Sequence, residues 1–269
     1  MKRILLLPVF LFSYCVLHAQ AAGQWDTYMS MYEKGPGTVL IDLGLKTSLP
    51  DKELPFLLET GVRFTDCTSD GLPAPTAFDQ LYLISDSVNV LVSLAVESKM
   101  AGTFTYQCER KDYYYISDTT GLRKKLEQLY TRRFPNSAYS IVIRADAGWK
   151  TYTGFLYPDE ETFEYMQNTK LVMKLEEAGD KLSTPRKVDH WLYFRDEKGR
   201  AAFASKAREK GYAVEEQTAK GPASSPYQLH LSRIDKVELG SITRLTLQLR
   251  KEANQYGGQY DGWETAVTK

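Results

Sequence analysis

From Val188 to Phe194 the chain reads VDHWLYF, and strand alternation sends Val188, His190, Leu192 and Phe194 to one face and Asp189, Trp191 and Tyr193 to the other. Both faces carry bulk, so this strand either lies between two layers or turns its second face to a partner. Around it the pattern predicts helices at Glu197–Lys210 and Leu239–Tyr256, and strands at Tyr212–Gln217, Tyr227–Arg233 and Gly258–Val267. The resulting order, βαββαβ with right-handed crossovers, gives a four-stranded antiparallel sheet with helices on one face. In this ferredoxin-like sandwich the first and third strands are central.

The first half reads less regularly. Gln24–Tyr32 places Trp25, Tyr28 and Tyr32 at helical or loosely amphipathic spacing and is expected to pack as a lead-in. Thr38–Leu43 and Phe56–Thr65 read as strands, with Gly61 as an expected bulge. Phe78, Leu81, Ile84, Val88 and Leu91 predict a helix from Thr76, its expected cap, to near Val96. Gly102–Cys108 and Tyr113–Ser117 flank the polar run Glu109–Asp112 as a hairpin; Gly121–Phe134 is a second helix stopped by Pro135, and Ser140–Arg144 a last strand. This half can be drawn as a second four-stranded ferredoxin-like sandwich, so the predicted fold class is α+β with two such domains. Asp146–Pro158 is aromatic and reads as a packed connector. The acids Asp159–Glu161 then open a helix running to Gly179, where the macrodipole favours them; they read as a helix start rather than a metal site. The predicted domains are residues 22–158 and 159–269.

The N-terminus changes the compartment. Lys2 and Arg3 precede an apolar run from Ile4 to Leu17 and then Ala19-Gln20-Ala21, the order of a secretory signal cleaved after Ala21. The run is too short to span a bilayer and contains Pro8, so no membrane anchor is expected after cleavage. Tyr14 before Cys15 argues against a lipid-modified cysteine. Two cysteines then remain, Cys67 and Cys108, and an export compartment permits them to pair, although two free buried thiols fit the sequence equally well. Lys and Arg total 34 against 34 Asp and Glu, so no overall basic field exists to hold a phosphate backbone, and nucleic acid is not an expected partner.

Three ordered blocks carry a family likeness. Leu175–Phe194 (LEEAGDKLSTPRKVDHWLYF), Tyr227–Asp235 (YQLHLSRID) and Gly257–Thr265 (GGQYDGWET) together resemble the regulator of ribonuclease E activity B family. The first half, with IDLGL at Ile41–Leu45 and WKTYTGFLYP at Trp149–Pro158, is similar to domain-of-unknown-function family 695, which implies no known activity. The ribonuclease-regulator resemblance implies a compact α/β domain that acts by binding a protein, a cytoplasmic ribonuclease in the namesake. An exported chain does not meet that nuclease, so the resemblance implies fold more directly than partner.

The motif search removes chemistry rather than adding it. The chain has no GxGxxG, P-loop, GxSxG, HExxH or paired CxxC, so no catalytic centre, metal or cofactor is expected. His190 and His230 fall on neighbouring strands but on opposite faces, which argues against a shared metal or an acid–base pair. Trp191, Tyr193 and His230, with Tyr260 or Glu264 from the last strand, are the candidates for an open sheet face. Such a face either packs on the other domain or binds a partner. Aromatic faces also stack RNA bases, but here the basic surround is missing. The expected function is an exported, non-catalytic protein-binding or regulatory module. The alternative is a hydrolase-type enzyme whose site lies between the domains and uses Asp189, His230 and Glu264.

Overall fold

Four consecutive residues, Tyr113 to Ile116, are all buried, which requires a strand covered on both faces. That strand sits inside a larger sheet than the sequence predicts. The computed structural model describes residues 23–269, and the signal-peptide reading of residues 1–21 lies outside the described residues.

The first half runs β1 (Trp25–Tyr32), β2 (Gly35–Asp42), β3 (Phe56–Arg63), α1 (Phe78–Ala95), β4 (Ser98–Tyr106), β5 (Glu109–Ile116), α2 (Leu122–Arg133) and β6 (Ala138–Ala145). Its sheet has six strands in the order β1-β2-β4-β5-β3-β6, not the four expected. The added strands form a hairpin, because Gln24–Tyr32 is not a lead-in but a strand pairing from Trp25↔Asp42 to Tyr32↔Gly35. β2 then joins β4, so the hairpin extends that edge.

Local corrections have local causes. Gly61 makes no bulge: it pairs in register with Lys111 and Ser140, and its hydrogen side chain is needed because a Cβ there would lie 2.1 Å from the carbonyl oxygen of Arg110. The β4–β5 turn is Gln107-Cys108, both at positive φ (51° and 59°), the backbone of a tight two-residue hairpin. Glu109–Asp112 belong to β5 instead, where Lys111 Nζ meets Glu59 at 2.9 Å. Thr76 does not cap α1; its hydroxyl goes to Asp66, and a 3-10 turn at Pro75–Ala77 leads into the helix. Cys67 and Cys108 are joined by a disulfide with Cα atoms 5.8 Å apart.

The two faces of the first sheet have different covers. α1 and α2 pack on Leu58, Val62, Tyr114, Ile116 and Ile141. The other face carries Val39, Ile41, Leu57, Tyr113 and Tyr115, and the connector closes it with Trp149, Tyr152 and Leu156 fully buried. Trp149 stacks on Tyr115 with ring centroids 3.6 Å apart. Asp146 ties the connector down: its carboxylate accepts from Tyr115 Oη at 2.7 Å and from the Lys150 and Thr151 amides at 2.9 Å. Burial alone would raise its pKa, but these bonds outweigh burial and hold it below the usual value.

α3 (Glu160–Glu177) joins the halves, with Asp159 capping it through the Thr162 amide at 2.8 Å. Met166 belongs to the first core and Val172 to the second. Lys170 pairs with Asp26 of β1, while Glu164, buried, receives two bonds from Arg250 at 2.6 and 2.9 Å.

The second half continues with β7 (Arg186–Phe194), α4 (Glu197–Glu209), β8 (Ala213–Thr218), β9 (Tyr227–Asp235), α5 (Leu239–Gln255) and β10 (Gly258–Thr265). Its antiparallel sheet has four strands in the order β10-β7-β9-β8, with β7 and β9 central as the element order predicts. Within the first sheet β6-β3-β5-β4 follows the same fourth-first-third-second order. Val188, Leu192, Phe194, Leu229 and Leu231 form the core beneath Phe203, Ala207, Ile242 and Leu249 of α4 and α5.

Candidate functional site

The face of the second sheet opposite α4 and α5 collects the polar and aromatic alternates. β7 contributes Lys187, Asp189, Trp191 and Tyr193, and β9 contributes Gln228, His230 and Ser232, each set opposite the other in register. Trp191 and His230 stack nearly parallel, centroids 4.7 Å apart and planes 10° apart. His230 Nε2 lies 2.8 Å from Asp189 Oδ1, which fixes the imidazole edge against the carboxylate. Lys187 Nζ bridges Asp189 at 3.2 Å and Glu215 at 3.0 Å, and the Ser232 hydroxyl donates to Glu215 at 2.6 Å. The Lys187 ammonium is held above its usual pKa by Glu215 and then Asp189; Glu215 is held below its own by Ser232 and then Lys187.

Trp191, Tyr193 and His230 are half-buried, and Glu264 is exposed. Tyr193 is sheltered at one end by the β8–β9 loop, where a Cβ on Gly221 would come within 2.7 Å of its ring. The hydrogen bonds, ion pairs and stacking contacts of these residues all stay within the second half. The first half meets the second through α3 instead, on the helix side.

Tyr260 is not on this face. Simple alternation along β10 would group Tyr260, Gly262 and Glu264, but the register shifts between Tyr260 and Gly262 and leaves Asp261 unpaired. This bulge returns Gly262 and Glu264 to the open side, opposite Trp191 and Asp189, and turns Tyr260 and Trp263 into the core. There the Trp263 indole donates to Asn168 Oδ1 at 2.7 Å, and Tyr260 Oη lies 2.9 Å from His190 Nδ1. His190 is fully buried and its Nε2 has no partner among the described residues. Burial first, then the positive charge of Arg233, pushes its pKa down to about 3, so it is neutral and structural. The two histidines point apart, as alternation predicts.

Sequence reasoning missed Lys187, Glu215, Ser232 and Gly262. Alternation from Trp191 and His230 would have reached Lys187 and Ser232. Glu215 and Gly262 owe their places to bulges in β8 and β10, which leave no mark in a single sequence.

The enzyme alternative loses its location. Asp189, His230 and Glu264 share the open face, not the junction of the halves. One cleft where the first half meets α3, about 440 Å³, is lined by Trp25, Asp26, Lys46, Tyr157, Phe163 and Lys170 among others, and another, about 220 Å³, joins Met29 to Thr243 of α5. The Ser232 hydroxyl, cross-strand from Asp189, donates to Glu215 rather than to His230. Among the described residues no group of three or more His, Cys, Asp or Glu side chains is arranged to hold a metal. No helix among them is long and apolar enough to cross a membrane.

Comparison with known proteins matches residues 166–265 to the family regulator of ribonuclease activity B. Residues 23–157 match a family of unknown function, DUF695. No curated protein matches the chain. Among solved structures, an unknown protein from Galdieria sulphuraria is similar at 12% identity and TM-score 0.21, covering 79% of this chain and 99% of its own. A putative glycine cleavage system transcriptional repressor is similar at 13% identity and TM-score 0.20, covering 79% and 98%.

Proposed function

This chain belongs to the family of unknown function DUF695, which spans just over half of its 269 residues, and from that premise we propose that it is an exported protein-binding regulatory module working through the open face of its second sheet. The match of residues 166–265 to a regulator of ribonuclease activity supports a regulatory, protein-binding role. The observation that carries the choice of face is the stacked Trp191–His230 pair, half-buried beside Tyr193 and left uncovered by the first half. Aromatic side chains held rigid on a free face are the usual energetic anchors of protein interfaces.

Export is supported by the charged, apolar and small-residue order of Lys2 to Ala21, and by a bonded Cys67–Cys108 pair, which suits an oxidising compartment. In such a compartment the ribonuclease named by the matching family is not the partner. We read residues 22–158 and 159–269 as two domains, the second a ferredoxin-like sandwich and the first the same strand order enlarged by a hairpin.

The test is capture. Immobilised residues 22–269 and their Trp191→Ala variant are exposed to an envelope fraction, and retained proteins are identified by mass. A protein retained by the wild type and lost by a folded Trp191→Ala variant supports the reading; equal retention by both refutes it. The native protein is expected to begin at Ala22 when its mass is measured, and an intact Met1 would refute export.

A further inference from the structure

The proposed docking face has one gap. Gly262 of β10 stands opposite Trp191, and a Cβ built on it meets no atom within 4 Å. Trp191 stacks on His230 of β9, the strand on the side of β7 away from β10, which leaves the other face of its indole without a stacking partner among the described residues. Glu264, two residues further along, borders the gap, exposed and without an ion pair among the described residues. Asp189 is its cross-strand neighbour. On the wider face Asp189 is paired with Lys187 and His230, and Glu215 with Lys187, which leaves Glu216 and Glu264 as acids without an ion pair among the described residues.

Resting on the open face as the docking surface, the geometry points to a pocket over Gly262 that takes a cationic side chain, an arginine, from the protein partner. An indole face attracts a guanidinium laid on it, and a planar fork fits between ring and carboxylate better than a hydrated ammonium does. The acidic surround favours a basic segment over an acidic one and speeds its encounter. Absence of a side chain at position 262 is what leaves room for the guanidinium; nothing in the fold needs that space, since it is empty.

The probe is an eight-residue peptide alternating arginine and glycine, with its citrulline counterpart as the uncharged control. The readout is the indole Nε1–H resonance of Trp191, assigned by its loss in Trp191→Phe. The arginine peptide is expected to shift it saturably and the citrulline peptide to leave it in place. Glu264→Gln should weaken the arginine peptide about fivefold, the worth of one exposed ion pair near 1 kcal/mol. Gly262→Val should abolish the shift while leaving the unfolding midpoint near that of the wild type, because the new side chain enters open space. An equal response to citrulline, or an undiminished response in Gly262→Val, overturns the pocket. If Trp191→Ala loses the captured partner yet the arginine peptide has no effect, the pocket falls and the docking face stands. If capture is unchanged in Trp191→Ala, both fall.

Discussion

Acid should destabilise this protein through one buried ring. His190 is fully buried between β9 and β10, bonded through Nδ1 to Tyr260 and unpartnered at Nε2. Its pKa falls from 6.5 to about 3 on folding, first from burial and then from Arg233. A base with a lowered folded-state pKa binds its proton more tightly when unfolded, so its contribution is fully present above pH 6.5 and is lost as pH falls from there toward 3. Each pH unit inside that window is worth about 1.4 kcal/mol. Between pH 7 and pH 5 only the lower 1.5 units fall inside the window, so the loss is about 2 kcal/mol. The assay is urea unfolding of the wild type and of His190→Gln at both pH values. Glutamine keeps a partner for Tyr260 and does not titrate, so paired carboxylates affect both proteins alike and cancel in the difference. The wild type should lose about 2 kcal/mol more than His190→Gln over the interval. Parallel losses would refute the reasoning, and would mean that His190 is protonated, or hydrated at Nε2, inside the fold.

Other perturbations separate the face from the core. Trp191→Ala should cost about 1–2 kcal/mol in urea unfolding, because the indole is half-buried, whereas Phe194→Ala three residues on, fully buried, should cost about 3–5 kcal/mol. Asn168→Ala removes bonds to Thr243 at 3.2 Å, Thr246 at 2.9 Å and Trp263 at 2.7 Å, all buried. It should destabilise by about 3 kcal/mol, mainly by orphaning the Trp263 indole, and a loss below about 1 kcal/mol would show that α3 is not held by this hub. Reducing the disulfide opens a loop with a sequence separation of 41, and unfolding with and without reductant should differ by about 3–4 kcal/mol.

The alternation of VDHWLYF by itself assigned His190 to the core and Asp189, Trp191 and Tyr193 to the other face. The order of helices and strands likewise determined that β7 and β9 are central in their sheet. These features are local, since side-chain alternation needs only the strand's own backbone and element order needs only periodicity and turn residues. Tertiary structure decided what depends on a second segment. Trp25–Tyr32 became a strand because β2 offers it a partner, which its mixed apolar spacing does not announce. Tyr260 moved into the core, and Gly262 came to lie opposite Trp191, because β10 accommodates an extra residue against β7. The open face was left uncovered because α3 docks the first half against the helix side through Met166, Asn168 and Lys170. Register, bulges and the docking of one layer on another are settled by pairing across the chain, at separations that a pattern read along one strand does not reach.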